Sequence, residues 1–131
     1  DNAFINFYQN GWFAAPNYVV MKLWREHYAP HWLETTGDTK GMYVSTTKSD
    51  DGTVYVKVVN PMDVEKNVTV TLRGTTVTSA TMELVAPGAP EARNTLEFPE
   101  TVHVEPGTAN VTDEGVTFTL PPLSAAVVTC E

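Results

Sequence analysis

The sequence predicts a mainly β protein: an antiparallel, jelly-roll-like β-sandwich preceded by one strand–loop–helix unit. Two observations carry that expectation. The hydrophobic period changes from near 3.6 to 2 across Gly37–Lys40. Beyond that point, short Val/Thr-rich runs recur at intervals of about 10 to 15 residues, with Gly, Pro, Asn and Asp between them, as in a sandwich or barrel. At 131 residues, 42% of them apolar, the chain is long enough to bury a core without disulfide staples. The division expected is therefore 1–37 for the first unit and 38–131 for the sandwich.

The elements follow in order. Phe4–Phe7 reads as a short strand, and Tyr8–Ala15 as a loop with Asn10-Gly11 as its turn signal. Pro16 suits a first helical position, where its missing N–H would have had no partner. Asn17–Tyr28 reads as a helix. Lys22, Arg25, Glu26 and Ala29 fall on one solvated stripe, while Val19, Val20, Leu23, Trp24 and Tyr28 fill the rest of its circumference. So wide an apolar surface calls for burial. Pro30 stops the helix. Met42–Thr47 and Thr53–Val59 read as a hairpin around Asp50-Asp51-Gly52, with Val54, Val56 and Val58 alternating against Tyr55 and Lys57. Strands are expected at 68–72, 77–85, 102–105 (an edge), 115–120 and 125–129, with a long ordered loop at 86–101. One strand and one helix cannot close a parallel sheet, so the first unit reads as the tail of an α/β array. The chain accordingly reads as a fragment that opens in mid-structure.

Charge and composition narrow the function. With 16 acidic and 8 basic residues the net charge is −8, which argues against nucleic acid or an anionic membrane as partner. A neutral partner such as a sugar polymer fits better. No apolar run reaches the ~18 residues of a membrane span. Cys130 is the only cysteine, which excludes an internal disulfide and a cysteine metal cage and leaves the compartment open. His27 and His31 stand four apart, a zinc-gripping spacing on a helix, but Pro30 lies between them and no third ligand is evident. No metal or cofactor is expected. His103 reads as a surface residue. Asn67-Val68-Thr69 and Asn110-Val111-Thr112 match the glycosylation acceptor pattern, a cheap match in a Thr-rich chain.

Several segments together resemble a known family. Asn6-Phe7-Tyr8-Gln9-Asn10 followed by Ala15-Pro16-Asn17-Tyr18-Val19-Val20-Met21-Lys22-Leu23-Trp24 resembles the eighth strand, loop and helix of the (β/α)8 barrel of family 51 α-L-arabinofuranosidases. Val54–Asp63, with its Lys57-Val58-Val59-Asn60-Pro61 run, resembles the family's hydrophobic-K-V-V-N-P-T-D hairpin edge. Glu91–Leu96 and Phe118–Ser124 resemble its A-E-N-S/T loop and its closing F-T-Y-T-hydrophobic-P-P-Y-S segment. The matches occur in family order. The chain departs in a loop at 10–15 that is longer than usual, in Arg93 for the usual Glu, and in Leu123 for the usual Tyr.

The resemblance implies a retaining glycosidase, which needs two carboxyl groups about 5–5.5 Å apart as acid/base and nucleophile. In the family both are glutamates at the ends of earlier barrel strands, upstream of Asp1, so no catalytic residue is expected in this chain. It implies that the chain is the C-terminal part of an enzyme releasing terminal arabinofuranosyl groups from arabinan or arabinoxylan. The expected partners are then the missing upstream barrel, an arabinose-containing polysaccharide or oligosaccharide met through the parent, and other copies in a homo-oligomeric parent. Gln9, following the eighth strand, is the expected sugar contact, because a side-chain amide there can hydrogen-bond a hydroxyl. Trp12, with Phe13, could supply an aromatic platform, against the plainer reading that both pack as buried anchors. Trp24 is expected in helix packing and Trp32 at the barrel–sandwich junction. Two other classes compete: a non-catalytic carbohydrate-binding module, which needs exposed aromatics on one face, and a purely structural domain.

Overall fold

The structure is a computed structural model describing residues 5–8, 11–14, 16–86, 97 and 102–131, with side chains described from Tyr18 onward. It is mainly β, with antiparallel pairing throughout and one helix among the described residues.

β1 (Ile5–Tyr8) and β2 (Gly11–Ala14) form a two-stranded hairpin in which Tyr8 pairs with Gly11. The sequence predicts a loop where β2 runs. The aromatic pair Trp12-Phe13 has strand propensity, and the turn signal beside it suits a hairpin. Helix α1 (Pro16–Glu26) follows, opening on Pro16 as expected. It ends two residues early. His27 N–H and Tyr28 N–H turn back three residues, to Trp24 and Arg25 carbonyls at 3.2 Å, tightening the last turn. His27 Nδ1 also bonds the Leu23 carbonyl at 2.8 Å, supplying a partner at the helix end.

Eight of the remaining strands build the sandwich, and a further short one joins its edge. These are β3 (His31–Leu33), β4 (Tyr43–Lys48), β5 (Val54–Asn60), β6 (Lys66–Val70), β7 (Ala80–Val85), β8 (Glu105–Gly107), β9 (Ala109–Thr112), β10 (Gly115–Leu120) and β11 (Ser124–Cys130). One sheet has the order β3-β4-β5-β11-β7-β8, the other β6-β10-β9. Between them lies the main core: Val54, Val56 and Val58 of β5, Met82 and Leu84 of β7, Ala126, Val128 and Cys130 of β11, and Val116, Phe118 and Leu120 of β10. The strand at 66–70 is displaced from the expected 68–72 by two residues, an even shift, so Val68 and Val70 keep the same face.

Two details differ from expectation. β3 and β9 carry no period long enough to read. β8 falls on Glu105-Pro106-Gly107, which reads as a turn; Pro106 is tolerated because, among the described residues, β8 pairs with β7 alone and is an edge. At the β9–β10 turn Gly115 has φ +136°, and a Cβ there would stand 2.1 Å from the Val70 carbonyl oxygen, so the position requires glycine.

Asn60 closes the β5 end. It is 1% exposed. Its amide donates to the Val64 and Pro121 carbonyls at 2.8 and 3.0 Å, and its Oδ1 accepts the Met62 N–H at 3.1 Å. Leu123 N–H reaches the Met62 carbonyl at 2.9 Å from a left-handed backbone, φ +54°. The Asn-Pro and Pro-Pro turns, 61 residues apart, are thereby one structure.

Candidate functional site

The second face of the six-stranded sheet, turned away from the sandwich core, brings together the chain's unusual side chains. Cross-strand register defines it in rows: Trp32–Thr47–Tyr55–Thr129–Thr81, Ser45–Lys57–Val127–Glu83, and Tyr43–Val59–Ala125–Val85. Helix α1 lies across the β5, β11 and β7 part of this face. Leu23, Val85, Val102 and Val127 form its buried cluster, with Val19, Val20, Trp24 and Tyr55 packed around them. Trp24 thus has the packing role expected of it.

His27 fastens the C-terminal end of the helix to the sheet. Its Nε2 lies 2.9 Å from a Glu83 carboxylate oxygen, and its ring meets Tyr55 edge-on with centroids 5.6 Å apart. His31, at the start of β3, instead meets Asp50 at 2.6 Å. The two histidines that the sequence spaces like zinc ligands therefore serve different carboxylates. Among the described residues no group of three or more His, Cys, Asp or Glu side chains converges. His103 is exposed, with Glu105 3.9 Å away.

Two other groups on this face stand out. Lys57 is 8% exposed, and burial lowers its ammonium below the ordinary lysine value. The hydroxyl of Thr47 is enclosed and makes no hydrogen bond. Beside them, Trp32 is 71% and Tyr43 68% exposed, and Tyr28, just past the helix, is 72% exposed. Trp32, expected at a junction, is thus open to solvent in this chain. Gln9 lies outside the described residues. Trp12 lies on β2, with its side chain outside them.

The opposite sheet offers an open depression of about 370 Å³ lined by Asn67, Thr69, Thr117, Thr119 and Asn110, all uncharged, with Thr119 donating to Asn67 at 2.9 Å. A second, of about 230 Å³, is rimmed by Asp113 and Glu114. These are consecutive residues of one turn. A glycosidase instead needs carboxyl groups flanking the scissile bond.

A family model for the α-L-arabinofuranosidase C-terminal domain matches residues 3–124. The chain belongs to that family. No curated protein matches the sequence. Among solved structures, this arabinofuranosidase C-terminal domain is similar to an arabinofuranosidase at TM-score 0.88 and 20% identity, over 98% of this chain and 31% of that one. It is also similar to the GH51 arabinofuranosidase of Xanthomonas axonopodis pv. citri, at TM-score 0.83 and 20% identity, over 98% and 29% of the two chains. A third is the α-L-arabinofuranosidase of Thermotoga maritima in an arabinose complex, at TM-score 0.85 and 20% identity, over 95% and 30%. At such identities the likeness establishes the fold. The chain spans less than a third of the length of each of these structures.

Proposed function

We propose that the chain is the C-terminal part of a retaining α-L-arabinofuranosidase that removes terminal arabinofuranosyl groups from arabinan or arabinoxylan. The observation that carries this reading is the family match over residues 3–124, in a chain with less than a third of the length of the arabinofuranosidases it resembles. Residues 1–37 are read as the tail of the catalytic barrel and 38–131 as the sandwich that buttresses it, with β3 (His31–Leu33) joining the sandwich sheet. Both catalytic glutamates belong to the part upstream. Gln9 contacts the sugar, with Trp12 beside it. The parent works as a homo-oligomer. The isolated chain holds its helix and sandwich together and performs no hydrolysis.

The test is hydrolysis of a nitrophenyl α-L-arabinofuranoside. The full-length parent is expected to cleave it and the 131-residue chain to leave it intact. Turnover by the shorter chain would refute the placement of the acids upstream.

One observation favours a second reading, a carbohydrate-binding module: Trp32 and Tyr43 stand exposed on one sheet face. Retardation of the chain in an arabinoxylan gel at low polymer concentration is the outcome that reading requires.

A further inference from the structure

The outward face of the three-stranded sheet is set by alternation along its strands. In β10, Val116, Phe118 and Leu120 turn into the core, which sends Thr117 and Thr119 outward. In β6, Val68 and Val70 pack on the core, and Asn67 and Thr69 face out. In β9, Ala109 packs inward and Asn110 outward, with Thr108 just before the strand. Register sets these side chains in two rows, Thr69–Thr117–Asn110 and Asn67–Thr119. Together with Thr108 they line the open depression of about 370 Å³, and all but Thr117 are exposed.

The groups on this face decide what it can hold. None of the six is charged, in a chain with 16 acidic and 8 basic residues. A Thr hydroxyl and an Asn carboxamide each both donate and accept hydrogen bonds. Among the described residues one side-chain bond engages them: Thr119 donates to Asn67 Oδ1 at 2.9 Å, which leaves both N–H groups of that amide for a ligand. A polyanion finds no cation here and meets a net charge of −8. A protein interface needs an apolar centre, and the apolar side chains of β6 and β10 are turned inward. A neutral sugar chain does match. Its hydroxyls give and take hydrogen bonds as these side chains do, and it brings no charge that must be paired. The volume also falls within the ~300–1,000 Å³ of small-ligand sites.

We propose that this face is a non-catalytic binding site for a neutral polysaccharide, holding a short run of sugar units of the pentosan on which the parent acts. The inference deepens the reading of the chain as part of an arabinofuranosidase and rests on it for the identity of the sugar. The site lies on the sheet that the buried cluster of α1 does not touch, so the helix leaves it open. A polymer held there stays close to the catalytic part of the same molecule, which makes each further encounter intramolecular.

Affinity electrophoresis of the 131-residue chain tests the site. Soluble arabinoxylan in the gel should retard the chain increasingly with concentration, and polygalacturonate, a polyanion, should not. The triple variant Thr69→Val/Thr117→Val/Asn110→Val strips one row of its hydrogen-bonding groups and keeps good strand formers. Its retardation should be several-fold weaker. Absence of retardation of the natural chain overturns the proposal, and so does equal retardation of a folded triple variant or retardation by polygalacturonate. If Trp32→Ala/Tyr43→Ala abolishes retardation while the triple variant keeps it, the aromatic face is the binder and the proposal fails. A second measurement needs no variant: an arabinoxylan oligosaccharide added to the 15N-labelled natural chain should shift amide resonances of β6, β9 and β10. Shifts confined to β3 and β4, or none at all, overturn the proposal. The parent is assayed separately on the nitrophenyl arabinofuranoside. Retardation without cleavage sinks the enzyme reading and spares the site, and cleavage without retardation does the reverse.

Discussion

Asn60 shows how a single side chain can hold two distant turns. All three of its hydrogen bonds go to main-chain groups of the Met62–Val64 and Pro121 turns, and the side chain is shut off from water. Removing it leaves those groups to be satisfied in a closed space. Asn60→Ala should therefore cost about 2–3 kcal/mol, read as a lower urea midpoint with unchanged slope; a cost within experimental error would show that water replaces the amide. Cys130 makes a prediction of a different kind. Burial raises its thiol to about 11 from an ordinary value of 9.0. A native-state value above the unfolded one adds stability that is whole below pH ~9 and lost as pH climbs towards ~11. Compared with Cys130→Ala, the natural chain should lose stability more steeply across that window. Native Cys130 should also resist a thiol reagent at pH 8 until the chain unfolds. The Asn-Pro turn was legible in the sequence as a turn, and as part of a family motif. Its bond to Pro121, 61 residues away, was not, because local chemistry names a turn without naming its partner.

At the scale of elements, α1 depends on the sheet beneath it. A helix of 11 residues is marginal alone, and its stability comes from the apolar side it buries. Leu23, 1% exposed against Val85 and Val127, is the centre of that contact. Leu23→Ala should cost about 2–4 kcal/mol. Hydrogen exchange should locate the loss in the helix amides, with β5 and β11 still protected; uniform loss across the sheet would mean the helix is part of the sandwich's own cooperative unit. The helix and the strongly alternating strands were legible because their periods are long enough to count. β5 also shows where that reading stops. Val54, Val56 and Val58 mark one buried face, but α1 covers the other, so Tyr55 and Lys57 are sheltered too. β3 is only three residues, recruited by the edge of β4, and β8 runs through a Pro-Gly pair that locally means turn. Such strands exist because a neighbour offers them hydrogen bonds, which no count within the segment can reveal. The candidate site was legible only in part: Trp24's packing followed from the helix pattern, whereas the buried Lys57 and the open Trp32 required cross-strand register.

For the whole molecule, the acid excess matters more than any one pair. A net charge of −8 on a 14.4 kDa chain repels itself in the compact state. The ion pairs found among the described residues all involve histidine and offset little of it. Raising ionic strength from ~0.01 M towards ~0.15 M shortens the screening length from about 30 to 8 Å and should raise the thermal midpoint. A midpoint that falls with salt would show that attractive pairs dominate instead. The two-sheet plan itself was legible from the spacing of turns and the change of period near Gly37, since both are properties of the chain as a whole. The pairing order was not, because β11, last in sequence, fits between β5 and β7.

That placement governs how the molecule can be assembled. During synthesis the β4–β5 hairpin and the β7–β8 pair emerge as separate pieces, each with one naked flank whose hydrogen bonds await Ser124–Cys130. Until the ribosome has delivered that stretch, both flanks stay open to pairing with foreign chains. The small central residues Ala125 and Ala126 slide into a slot made by strands translated long before, so the sheet closes like a zip whose slider arrives after both rows of teeth.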